Sequence, residues 1–178
     1  MVSEAAGAPP QSVQTATPRR HFARLLGLVT IPILILDQAT KLYVMSHMAL
    51  YESIPIVRNW LDITYTQNPG AAFSMFADMP GWFRAASLFT ISLGAIVILL
   101  IMLLQSDRLT MNSFAFALIL AGAAGNVIDR AIRGRVVDFI RMHYYDLNYP
   151  VFNVADSAIT IGVALILLGA LMNRSDSA

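Results

Sequence analysis

Cysteine is absent from this chain of 178 residues, and histidine occurs only 3 times. Without cysteine there can be no thiolate zinc or iron–sulfur site, no disulfide framework and no thiol nucleophile. The histidines, His21, His47 and His143, lack metal-ligand spacing to one another or to the acids, so neither a metal nor a cofactor is expected. Charge is scarce too: Asp, Glu, Lys and Arg make up 13% of the residues, where a soluble domain carries about 25%. A net charge of +1 offers no basic footprint for nucleic acid. Apolar residues fill the gap, at 57% of the chain with a mean hydropathy of +0.62, and they are gathered in runs. Disordered and collagen-like chains are thereby excluded, and a polytopic membrane protein is indicated.

Residues 1–20, rich in Ala, Ser, Thr, Gln, Gly and Pro, read as a disordered tail. Residues 21–174 read as a single domain with four apolar runs, at about 24–45, 82–104, 110–130 and 152–172. Each is near the ~20 residues that cross a hydrocarbon core of ~30 Å. No repeat period is visible, and the short link between the second and third runs makes them a helical hairpin. The first run follows Arg19, Arg20 and Arg24 as a signal peptide would, but it continues into Asp37-Gln38-Ala39-Thr40-Lys41 with no small-x-small site. It is therefore read as an uncleaved helix, kinked at Pro32.

The fold expected is an all-α membrane protein, four helices running up, down, up and down, with a small β-sheet within about 50–78. There Leu61, Ile63 and Tyr65 alternate with Asp62, Thr64 and Thr66, while Ile54 and Ile56 suggest a partner strand across a turn near Arg58-Asn59. Basic residues do not fix the orientation. With the tail inside, Arg19, Arg20, Arg24, Arg108 and Arg174 are cytoplasmic, against Lys41, Arg58, Arg84, Arg130, Arg133, Arg135 and Arg141 on the other side. All 6 Tyr and both Trp lie in or beside the two connections of that other face.

The intramembrane polar residues also converge there. Asp37 and Lys41 close the first helix, Asn126, Asp129 and Arg130 the third, and Asn153 and Asp156 open the fourth. Ionisable groups inside a span cost about 2.5–3.5 kcal/mol on insertion scales, so several at one depth suggest a site. Asp37 and Lys41 are also spaced for an intrahelical ion pair, and Asn126, Asp129 and Arg130 for a network tying the helix end to its loop. Arg133, Arg135 and Arg141 read as interfacial charges meeting lipid headgroups. Asp138, within Val136-Val137-Asp138-Phe139-Ile140, and Asp156, after Phe152-Asn153-Val154-Ala155, have mostly apolar immediate neighbours. Two carboxylates so placed, if folded together, would share a proton.

Five motifs in order resemble those of the lipoprotein signal peptidases (signal peptidase II) of bacteria. They are Asp37-Gln38-Ala39-Thr40-Lys41; Asn68-Pro69-Gly70-Ala71-Ala72-Phe73; the stretch from Gly122 through Gly125, Asn126 and Asp129 to Arg130; Val136-Val137-Asp138-Phe139; and Phe152-Asn153-Val154-Ala155-Asp156. Ala121 stands where the family often has a glycine, a difference that touches helix packing. The resemblance implies an aspartic endopeptidase of the cytoplasmic (inner) membrane with both termini cytoplasmic. It would cleave prolipoproteins on the amino side of a diacylglyceryl-modified cysteine, close to membrane lipid, and be inhibited by the cyclic peptide globomycin. Asp138 and Asp156 would be the catalytic pair, with Asn126, Arg130 and Asn153 lining the site. Asn68, Gly70, Asp37 and Lys41 would bind substrate or support the site, and Asp129 would orient the helix end and Arg130. One chain supplies every site residue, so a monomer is expected. A small proton-coupled transporter using the same aspartates is the alternative from another class; it calls for acids near the midplane and repeated halves, neither of which is visible.

Overall fold

In the computed structural model, residues 18–70, 80–145 and 147–175 are described. Most of the expected tail, and Ala71, Ala72 and Phe73 of the second motif, lie outside them. The tail was expected to reach residue 20, but Pro18 already opens a helix, α1 (Pro18–Leu25). Four helical segments are long and apolar enough to cross a membrane: Arg20–His47, Gly81–Leu104, Met111–Arg133 and Val154–Met172. A small antiparallel sheet accompanies them.

The first span has an interruption that the apolar pattern does not announce. A π-helical turn, Leu26–Thr30, joins α1 to α2 (Ile31–His47). Pro32 explains it: proline lacks an N–H, and its ring collides with the carbonyl four residues back, so a wider turn just before it accommodates both defects. Thr30 fastens this turn to the bundle by donating its hydroxyl to the carbonyl of Ala117, 3.1 Å away.

Helix α3 (Gly81–Leu104) lies at the edge, and α4 (Met111–Arg133) is central, packed against α2, α3 and α5 (Val154–Ser175). Thr110 and Ser113 form a reciprocal capping box at the start of α4, and Gly134 ends it in the left-handed region with φ 71°. Small residues bring α4 and α5 together. A Cβ on Gly122 would lie 2.2 Å from the carbonyl oxygen of Ala155, and one on Gly125 would lie 2.5 Å from Asp37 Oδ2.

The sheet is larger than its sequence signal. Strands β1 (Ser53–Val57) and β2 (Leu61–Asn68) form the expected hairpin, with Asn59 at φ 65° in the turn. Strand β3 (Val136–Tyr144) pairs antiparallel with β2, and a short β4 (Leu147–Asn148) completes the order β1-β2-β3-β4. The segment carrying Asp138 is thus a strand directly after α4. A register shift between Ile63 and Thr66 of β2 falls where Thr66 opposes Asp138. Such a bulge increases local twist and re-aims side chains, and it occurs often beside active sites.

A further bridge joins strand to helix. The backbone N–H groups of Phe139 and Ile140 both donate to Phe152 O, at 3.0 and 2.8 Å, and Phe152 N–H donates back to Ile140 O at 3.0 Å. Phe152 lies two residues before α5, so this bridge sets Asp156 in place relative to Asp138.

Candidate active site

The residues singled out in the sequence meet at the end of the bundle shared by the C-termini of α2 and α4 and the N-terminus of α5, beneath β2 and β3. Asn153 caps α5: its Oδ1 accepts the backbone N–H of Asp156 at 2.9 Å, and Asp156 Oδ2 accepts that of Asn153 at 3.2 Å. This is the capping-box geometry. Asp156 Oδ1 takes a second donor, Asn126 Nδ2, at 2.8 Å. Asn153 Nδ2 donates to Asp138 Oδ1 at 2.7 Å, and Asn68 also hydrogen-bonds the Asp138 carboxyl.

Asp138, only 3% exposed, is pushed up to about 7. Burial is the main cause and the neighbouring Asp156 carboxylate adds to it; hydrogen bonds from Asn68 and Asn153 and the charge of Lys41 pull the other way. A buried carboxyl that holds its proton to near-neutral pH, facing a second carboxyl, can act as general acid to that partner's base.

Asp138 and Asp156 line one cavity of about 650 Å³ together with Asn68, Asn126 and Arg130. A second, mostly apolar groove of about 510 Å³ runs along α5 past Ser157, Thr160 and Ile161 and shares Asp156, Phe152 and Tyr149 with the first. The chamber and the apolar groove therefore meet at the Asp156 carboxyl. Gly70 follows the lining residues Asn68 and Pro69 at the end of β2: its φ of 100° is a conformation that side chains disfavour, and its N–H donates to Asn68 Oδ1 at 2.8 Å.

Behind this chamber lies a fully buried ion cluster. Lys41 Nζ is 2.9 Å from Asp37 Oδ2 and 3.0 Å from Asp129 Oδ2, all three side chains being 0% exposed, and it donates to Asn126 Oδ1 at 3.3 Å. Asp37 and Lys41 are thus no simple interfacial pair, because Asp129 of α4 shares the ammonium. Asp37 Oδ1 also accepts the N–H of Ala155 in the first turn of α5 at 2.9 Å, and Asp129 Oδ2 that of Val137 in β3 at 3.0 Å. The cluster ties α2, α4, β3 and α5 together.

Two expectations are corrected. Asp129 pairs with Arg133, not Arg130, and Arg133 also donates to Gln38 Oε1 at 3.4 Å, so Arg133 is no simple headgroup contact. A cluster of two carboxylates and one ammonium draws the nearest second cation inward, making the set Asp37, Lys41, Asp129 and Arg133 neutral. Arg130 instead reaches its own helix, donating to Asn126 O at 3.3 Å, and faces the cavity. Gln38, which sequence reasoning assigned no role, donates to Asp37 Oδ2, Gly125 O and Asp129 Oδ1 at 3.0, 3.2 and 3.2 Å.

The family profile described as Signal peptidase (SPase) II matches residues 29–172. The chain belongs to the signal peptidase II family. The lipoprotein signal peptidase of Photorhabdus laumondii subsp. laumondii is 39% identical over 153 residues, which are 86% of this chain and 90% of that protein. That of Pseudomonas putida is 40% identical over 160 residues, 86% of this chain and 91% of its own. Two solved structures described as bacterial membrane enzymes, both obtained by the in meso method, superpose with TM-scores of 0.75 and 0.72 at 32% and 34% identity. They cover 85% and 81% of this chain and 90% of each of those chains. This signal peptidase II family member is a protease with a multi-pass membrane fold.

Proposed function

We infer that this signal peptidase II homologue hydrolyses the bond on the amino side of the diacylglyceryl-modified cysteine of prolipoproteins, with Asp138 and Asp156 as an aspartic dyad. The observation that carries this reading is that the two carboxyls line one cavity, coupled through the side chains of Asn126 and Asn153. A water between them loses a proton to one carboxylate as it attacks the scissile carbonyl. The other carboxyl donates its proton to the carbonyl oxygen, and the leaving amine is then protonated. Arg130, Asn68 and Asn126 offer the donors and acceptors that an extended peptide backbone requires.

The apolar groove along α5 suits a substrate whose cysteine carries acyl chains, since its lining is mostly apolar and it includes Asp156. A globomycin-type cyclic peptide would compete for the polar chamber. The enzyme acts as a monomer in the cytoplasmic membrane, with both termini cytoplasmic and the site toward the extracytoplasmic face. Such a placement admits water to the scissile bond and keeps lipid adjacent.

The test is processing of a diacylglyceryl-modified prolipoprotein by the purified protein in lipid or detergent. Asp138→Asn and Asp156→Asn are near-isosteric, and each is expected to lower kcat by roughly 10²–10⁴-fold or more. Cleavage at the wild-type rate by either folded variant removes the dyad.

A further inference from the structure

Lys41 touches neither carboxyl of the dyad, yet it determines what one of them can do. An ammonium has three donors and no acceptor. Here Asp37 Oδ2, Asp129 Oδ2 and Asn126 Oδ1 take all three. The orientation of an asparagine amide is set by its partners. Rotating that of Asn126 would turn its NH₂ onto the buried ammonium and its carbonyl oxygen onto Asp156, so Lys41 admits one orientation only.

That orientation commits an N–H donor to Asp156 Oδ1 at 2.8 Å, while the backbone N–H of Asn153 serves Oδ2 at 3.2 Å. Both oxygens are acceptors, at the N-terminus of a helix whose dipole favours negative charge. Asp138 takes side-chain donors from Asn68 and Asn153 and no backbone N–H at a helix start, and the second donor is shared. The Asn153 amide that reaches its Oδ1 also reaches Val137 O at 3.2 Å and Asn126 Oδ1 at 3.4 Å.

We propose that Lys41 is a positioning residue that, by fixing the Asn126 amide, keeps the shared proton of the dyad on Asp138, so that Asp156 is the water-activating base and Asp138 the acid. The proposal rests on the dyad reading above. The near-neutral titration of Asp138 agrees with it. The groups facing Asp156 are Asp138 from β3, Asn126 and Arg130 from α4, and Asp37 and Lys41 from α2; those facing Asp138 are Asp156, Lys41, Arg130, Asn68 and Asn153.

The test is the pH dependence of kcat/KM in the prolipoprotein assay. Its acidic limb reports the base and its alkaline limb the acid. Asn126→Ala removes the donor to Asp156 and is expected to move the acidic limb up by about one pH unit, leaving the alkaline limb in place. Lys41→Gln frees the amide and moves the acidic limb the same way, whereas Lys41→Arg, which keeps a cationic donor, preserves the profile. In the Asn126→Ala background, only the through-space charge of Lys41 is left to lose, so Lys41→Gln should shift the acidic limb by less than it does in the wild-type background.

Movement of the alkaline limb alone in Asn126→Ala overturns the assignment, as does a profile with neither limb moved. Additive shifts in the double variant overturn the role of Lys41. If Lys41→Gln does not fold, Asn126→Ala still decides between the carboxyls. Retained cleavage by Asp138→Asn or Asp156→Asn in the same assay would identify failure of the dyad reading itself.

Discussion

As one half of the proposed dyad, Asp138 would link a single residue to the pH response of the whole enzyme. With its titration near 7, a dyad that needs one proton loses it as pH rises. Processing should therefore fall about tenfold per pH unit in the alkaline range, as read from kcat/KM between neutral and alkaline pH. The same shift has a cost in stability. Asp138 is raised from an unfolded value of about 3.9, so the folded state retains a proton that the unfolded state has released. Stability contributed by this group is lost as pH rises from about 4 to about 7 and then levels off. Asp138→Asn removes that term, so its thermal midpoint in detergent should exceed that of wild type by more at neutral than at acidic pH; a pH-independent difference would contradict the buried placement. Asp138 and Asp156 were singled out in the sequence by their apolar immediate neighbours and by the family motifs that contain them, and the structure brings them to one cavity. The asymmetry proposed between them was not legible there, because it rests on an amide of α4 held by a lysine of α2, 85 residues apart in sequence.

Among the elements, the contact between α4 and α5 is the one on which the site hangs. Gly122→Ala would press a methyl group against the carbonyl of Ala155, in the turn that presents Asp156. The expected cost is roughly 1–3 kcal/mol of stability, with lowered processing. Gly94, on α3, has open space at the corresponding point, and Gly94→Ala should leave both properties close to wild type. Thermal unfolding and processing of the two variants in the same detergent make the comparison. Helix number and polarity were readable from the apolar runs, and the β1–β2 hairpin from its alternation. Strand β3 was not, because its apolar start, Val136 to Ile140, is as compatible with a buried helix end as with a strand. Only pairing with β2 decides it. Arg133, by contrast, stands four residues after Asp129, a helical spacing that already offered the partner the structure reveals.

For the whole molecule, the cysteine-free sequence makes topology directly measurable. Arg58→Cys, in the β1–β2 turn, and Asp107→Cys, in the α3–α4 turn, lie at opposite ends of the bundle and are both exposed. If the dyad faces outward, a membrane-impermeant maleimide added to intact cells should label the first and spare the second; the reverse pattern would invert the molecule. Such a determination is needed because the basic residues crowd the site's own end of the bundle, so charge counting and chemistry pull in opposite directions.

The order in which the site is assembled has a biosynthetic consequence. Asp138 emerges on β3, but its partner, the Asn153 cap and the N–H that Asp37 receives all belong to the last helix. A nascent chain still short of Val154 therefore carries half of the proposed dyad and lacks the α5 N–H that Asp37 receives. With the two carboxyls acting as proposed, proteolytic competence arises only once the final helix has docked on α4, and a partly inserted chain should be inactive toward its neighbours.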